Sequence, residues 1–149
     1  RPLVWQISAF TVAHAMTLSL AVFNIVSLAP AVVEPLIALS IVYVAAENLL
    51  THRLTAWRPM VVFGFGLLHG LGFAGVLQEL GLPDQERVLG LVSFNVGIEL
   101  GQLLVIATAL LAVGWCRSKG WYRRRIVVPG SVAIAAAGLF WAVERWLGA

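Results

Sequence analysis

Residues 88–116 read VLGLVSFNVGIELGQLLVIATALLAVGWC, and the only charge in that run is the carboxylate of Glu99. A membrane-spanning helix needs about 20 predominantly apolar residues to cross a hydrocarbon core of about 30 Å. This run exceeds that length, so it reads as a span that is tilted or partly interfacial. The rest of the chain repeats the pattern, with apolar stretches over about 3–29, 33–50, 60–80 and 126–147. Sixty per cent (60%) of the residues are hydrophobic and 11% are charged, and the mean hydropathy is +0.92. An ordinary soluble domain carries about 25% charged residues. The expected fold is an all-α membrane protein, a compact bundle of about five transmembrane helices forming one domain over residues 1–149.

Prolines mark the edges of these stretches. Pro30, Pro59 and Pro83 fall at boundaries, where a missing backbone donor is tolerated, and Glu34-Pro35 reads as part of the first break. Most of the six tryptophans lie near span ends, as an interfacial aromatic belt requires. Charge then sets the orientation. The loop 51–59 carries Arg53 and Arg58, and the loop 117–125 carries Arg117, Lys119, Arg123, Arg124 and Arg125. The loop 79–87 sets one arginine against Glu79, Asp84 and Glu86. Lys and Arg concentrate on the cytoplasmic side of membrane proteins, so loops 51–59 and 117–125 are expected in the cytoplasm and loop 79–87 outside. Arg1 and the two basic loops together hold eight of the ten basic residues. The basic pI of about 9.8 thus reflects topology and the lipid bilayer as partner. It does not indicate nucleic acid, since no basic groove with interleaved aromatics is present. Cys116 is the only cysteine, which excludes an intrachain disulfide and any Cys-pair metal motif. There is no phosphate-binding glycine loop and no dinucleotide fingerprint.

Four ionisable residues interrupt the apolar runs: His14, Glu47, His69 and Glu99. An ionisable group within a span is costly to keep in hydrocarbon and by default marks a functional site. Two imidazoles and two carboxylates also form a reasonable ligand set for a divalent transition metal. Three lie on polar stripes at helical spacing (Thr11, His14 and Thr17; Ser40, Tyr43, Glu47 and Thr51; Asn95, Glu99 and Gln102), and His69 stands among Gly64, Gly66, Gly70, Gly72 and Gly75. Asn24 lies further along the first stretch. Asn48, Asn95 and Gln102 are expected to orient the ligands through hydrogen bonds. No Lys or Arg lies within a span core, so each carboxylate needs protonation, a proton relay or a bound cation to neutralise it. His52, beside Arg53, reads as solvated. The glycines add a constraint. Gly66 and Gly70 bracket His69, and Gly97 and Gly101 bracket Glu99. Small residues four apart let membrane helices approach closely, and if these two faces meet, His69 and Glu99 come together.

These residues have a familiar look in combination. The runs Phe10-Thr-Val-Ala-His14-Ala-Met-Thr-Leu18, Ala46-Glu47-Asn48, Phe65-Gly-Leu-Leu-His69-Gly-Leu-Gly-Phe73 and Phe94-Asn-Val-Gly-Ile-Glu99-Leu-Gly-Gln102 resemble the HupE/UreJ family. Those are small bacterial membrane proteins associated with nickel and often encoded near hydrogenase or urease. The resemblance implies an inner-membrane protein that passes or binds nickel first, then cobalt or zinc, with His14, Glu47, His69 and Glu99 as candidate ligands. Two departures stand out. Members have a preceding helix with a His-Asp-His cluster, and no such segment stands before Arg1. Nickel permeases also carry a further His and Glu after the His-Gly pair, where this chain has Leu71-Gly72-Phe73-Ala74. The resemblance thus implies either a six-span parent or a branch with another role.

Three functions fit the sequence. The first is a metal-ion permease or metal-binding membrane protein, transporter-like and no enzyme. The second is an intramembrane metal-dependent hydrolase, in which a metal lowers the pKa of bound water to about 7; no His-Glu-x-x-His helix supports it. The third is a non-catalytic assembly subunit, whose polar stripes bind a partner membrane helix or another copy in a homo-oligomer.

Overall fold

The computed structural model describes residues 2–51, 56–79 and 84–148. These residues fold without strands into five α-helices: α1 Pro2–Val22, α2 Pro30–Leu50, α3 Arg58–Glu79, α4 Arg87–Val113 and α5 Val128–Trp146. A 3₁₀ turn at Gly114–Cys116 extends α4, and a π-turn at Arg123–Val127 leads into α5. At 1.5 Å per residue, the 21 residues of α1 span about 31 Å, the thickness of a hydrocarbon core. Four helical segments are long and apolar enough to cross a membrane: Trp5–Val22, Pro30–Leu50, Arg87–Cys116 and Arg123–Trp146. The fifth helix, α3, has 22 residues and packs against both α1 and α2. All six tryptophans are exposed on the outside of the helices.

The first helix is shorter than its apolar stretch. It ends at Val22 because Asn24 takes a left-handed conformation, φ 57°, which asparagine tolerates better than most residues. The Ile25 N–H donates to the Leu20 carbonyl (2.8 Å) and the Asn24 N–H to the Ala21 carbonyl (3.0 Å). That pair is a Schellman cap with Asn24 in the C′ position. Asn24 therefore terminates the helix and does not continue its polar stripe. The second helix begins earlier than expected, with Pro30 in its first turn, where proline is preorganised. It runs through Pro35, so Glu34-Pro35 belongs to the helix and not to the break. His52, Arg53 and Pro83 lie outside the described residues.

Two seams hold the bundle. Along α1 and α3, a Cβ at Gly66 would stand 2.6 Å from the Phe10 carbonyl oxygen and 2.8 Å from the Ala13 methyl. One at Gly70 would collide with the Thr17 hydroxyl and the His14 carbonyl. The missing side chains let the two backbones touch, and Thr17 Oγ1 then donates across the seam to the Leu67 carbonyl at 2.8 Å. Along α2 and α5, Gly138 plays the same part against Ala38 and Val42. Arg123 adds a hydrogen bond from Nη2 to the Leu49 carbonyl at 2.8 Å. Helix α4 is held more lightly. Its one buried side chain, Leu91, joins Leu18, Ala21, Val22, Ala74 and Leu77 in a small core, with Phe94 packed against it.

Candidate metal centre

The α1–α3 seam decides which functional side chains meet. With Gly66 and Gly70 seated on α1, His14 and His69 come to flank one aromatic ring. Phe10, one turn before His14, stacks on it with centroids 5.9 Å apart and planes at 16°. The same ring meets His69 edge-on at 5.2 Å. Phe73, one turn after His69, closes the other side of His14 at 5.6 Å. The result is a row of rings near the middle of α1 and α3, in which the Phe10 phenyl touches both imidazoles and Phe73 touches His14.

Their hydrogen bonding differs. His69 Nδ1 lies 2.8 Å from the Phe65 carbonyl oxygen. A carbonyl can only accept, so Nδ1 carries the proton and Nε2 keeps its lone pair. A metal-ligating histidine is fixed in the same way, by a hydrogen bond from its other nitrogen. His14 is 1% exposed, and neither of its ring nitrogens has a hydrogen-bond partner among the described residues. Leaving a buried donor unsatisfied costs about 1–3 kcal/mol. A guest that accepts from or binds to those nitrogens would offset that cost. His69 also lines a cavity of about 280 Å³ with Phe10, Ser40, Asn48 and Phe65.

The two carboxylates are elsewhere. Glu47 sits in the last turn of α2, and its Oε2 is 3.4 Å from Arg58 Nε, with both side chains nearly buried. Arg58 Nη2 also donates to Asn48 Oδ1 at 3.2 Å. Arg58 stands at the first position of α3, outside the apolar core of the span, yet its side chain reaches back to Glu47. A cationic partner is thus present, and the expectation that Glu47 requires a proton or metal is corrected. Asn48 serves that ion pair and bonds neither histidine. Glu99 occupies the middle of α4 on its exposed side, and Gly97 and Gly101 have nothing within 4 Å. The two glycine faces therefore do not meet; Gly66 and Gly70 are taken up by α1. Asn95 Nδ2 donates to the Leu91 carbonyl at 2.9 Å, while Asn95 Oδ1 and Gln102 Oε1 are buried without partners. Gln102 lines an apolar groove of about 590 Å³ between α4 and α1, in whose wall Phe10 stands and neither histidine does.

Much of the polar patterning is spent within single helices. Ser40, Thr51 and Thr108 each donate to a carbonyl three or four residues back on their own helix, the usual local solution for such side chains. Among the described residues no three of His, Cys, Asp and Glu converge as ligands for one ion. The two histidines stand together on the α1–α3 seam, while Glu47 lies in the last turn of α2 and Glu99 on an exposed side of α4. Sequence reasoning missed Phe10 and Phe73, although their spacing of four from His14 and His69 would have identified them as ring neighbours.

No curated protein and no solved structure matches this chain. Residues 1–145 match the family described as HupE / UreJ protein. With four helices suited to crossing a membrane and a match that spans nearly its whole length, the chain belongs to the HupE/UreJ family of metal-related membrane proteins.

Proposed function

We propose that this protein is a permease or membrane binding protein for a nickel- or cobalt-type divalent ion, with His14 and His69 as its intramembrane ligands. The observation that carries the reading is His14: a fully enclosed imidazole with two idle nitrogens, one helix seam away from a second imidazole whose Nε2 is free. Neutral imidazole suits nickel, zinc and copper, and affinity of such sites rises from manganese towards copper. Two protein donors leave an ion's remaining positions to water. That holds cargo firmly enough to admit it and loosely enough to release it. On this reading all five helices cross a bacterial inner membrane, with the Arg58 and Arg123 ends of the bundle in the cytoplasm. The Glu47–Arg58–Asn48 cluster then closes the cytoplasmic end of the α2–α3 seam.

The test is uptake of radioactive nickel into proteoliposomes, wild type beside His69→Ala and His14→Ala at equal incorporation. Loss of uptake in both variants is expected. Wild-type rates in both would remove the histidine pair from the function.

A second reading rests on α4. Glu99 is exposed on α4, and a Cβ at Gly97 or Gly101 would meet nothing within 4 Å, which suits an assembly subunit whose α4 receives another helix. A single cysteine placed at Gly97 in a Cys116→Ala background would crosslink to a partner in native membranes on that reading, and would stay monomeric on the first.

A further inference from the structure

The seam between α2 and α3 carries a string of cavities, and the cavities begin at an ion pair that the histidine centre does not use. Glu34, in the second turn of α2, is joined to Arg145 in the last turn of α5. Both side chains are partly open to the outside, at 39% and 48% exposure for Glu34 and Arg145. Glu34 forms part of the wall of two adjoining cavities. One, of about 250 Å³, lies under the 26–30 loop against Gly72, Ala74 and Gly75. The other, of about 360 Å³, is bounded by Ile41, Gly72, Phe73, Trp141 and Arg145. Ile41 is also a wall of the 280 Å³ cavity that contains His69 and Asn48. Asn48 in turn accepts from Arg58, the partner of Glu47.

Read along its length, the seam therefore offers a carboxylate, a passage floored by small residues, a phenyl ring, an imidazole, an amide and a second carboxylate. Arg145 covers Glu34, and Arg58 stands against Glu47. A larger groove between α1 and α4, which shares Phe10 and Val62 with the His69 cavity, has no carboxylate in its wall. A divalent ion is worth twice the charge of a guanidinium at the same oxygen atoms. Arg145, half in water, loses little when displaced because solvent can take over its hydrogen bonds.

We propose that Glu34 is the outer receiving ligand for the divalent ion, and that Arg145 is a removable cover which holds the carboxylate until an ion displaces it. The ion then passes along α2 and α3 towards His69. This inference rests on the permease reading above and adds the place where the cargo is first met.

Nickel uptake into proteoliposomes, measured as a function of external Ni²⁺, tests it. Glu34→Gln should raise KM at least tenfold with little change in maximal rate. Arg145→Gln should lower KM, because the cover is gone. A pair that merely braces α2 to α5 predicts something else: both variants would melt at lower temperature and leave KM alone. The exchange Glu34→Arg/Arg145→Glu separates the two, since it restores a brace but moves the carboxylate to α5. Recovery of thermal stability without recovery of KM supports the proposal, and recovery of both overturns it. An unchanged KM for Glu34→Gln, beside a His69→Ala that has lost uptake, overturns this inference alone. A wild-type protein that moves no nickel overturns it together with the reading beneath it.

Discussion

Gly70→Ala is the substitution that most directly tests how the histidines are held. The added methyl has nowhere to go: the Thr17 hydroxyl, the His14 carbonyl and the Leu18 nitrogen occupy its place. Two of those three are backbone atoms, so a rotamer change cannot relieve the clash and α1 must move off α3. Overpacking of a well-packed site costs typically 1–3 kcal/mol, and the upper end, about 3 kcal/mol, applies where backbone has to yield. Separation also breaks the Thr17 hydrogen bond to Leu67, which adds about 0.6 kcal/mol by the average for membrane helices. Gly66→Ala meets the Phe10 carbonyl and Ala13 and should cost nearly as much. The internal control is Gly97→Ala, where no atom lies within 4 Å and an effect within about 0.5 kcal/mol is expected. Unfolding midpoints of the four proteins, titrated with denaturing detergent from one mild micelle, give the comparison. Equal losses for Gly97→Ala and Gly70→Ala would refute the assignment of α1 as the partner of the glycine face.

Arg58→Gln removes the guanidinium 3.4 Å from the nearly buried Glu47 and should cost about 3–5 kcal/mol, the usual result of removing one member of a buried pair. The double variant Glu47→Gln/Arg58→Gln should recover most of that loss in the same unfolding titration. Asn24→Gly should leave the α1 cap intact, whereas Asn24→Val places a β-branched residue at φ 57° and should lose about 1–2 kcal/mol. His14→Phe removes two unpartnered nitrogens from a pocket bounded by phenyl rings. It is expected to match or exceed the wild type in thermal stability while nickel uptake disappears; a strongly destabilised His14→Phe would mean that the imidazole is structural.

The fold was largely legible because the solvent for this chain is lipid, and length and hydropathy then carry most of the information. The run 88–116 became α4 with its 3₁₀ extension, and the fifth stretch became α5 with its π-turn. What hydropathy could not reveal were the hydrogen-bonded ends. Residues 23–29 are as apolar as the helix before them, yet one asparagine in the left-handed region ends α1 at Val22. Pro35 reads as a breaker, yet α2 runs through it from Pro30 to Leu50.

The sequence offered candidate residues but not their pairing, because helix faces can be read from one stretch of sequence while the choice of neighbour cannot. Two glycine pairs, each bracketing an ionisable residue, look equivalent when written out. In the folded chain one pair lies tight against α1, and a Cβ added to the other would meet nothing within 4 Å. The difference follows from what the opposing helix can offer. The α1 segment Phe10–Thr17 presents a small residue, Ala13, where Gly66 arrives, and a hydroxyl at Thr17 where the Leu67 carbonyl arrives. A polar group in hydrocarbon selects the neighbour that satisfies it, so α3 docks on α1 and carries His69 to His14. Glu47 illustrates the converse. Its span holds no cation, but Arg has a long apolar stem that can lie along a helix while its head finds a partner. A count of charges within span cores therefore overlooks an arginine one turn beyond the boundary. The carboxylate with a cation within reach became part of an ion pair, and the imidazole whose nitrogens found none remained as the group with binding capacity to spare.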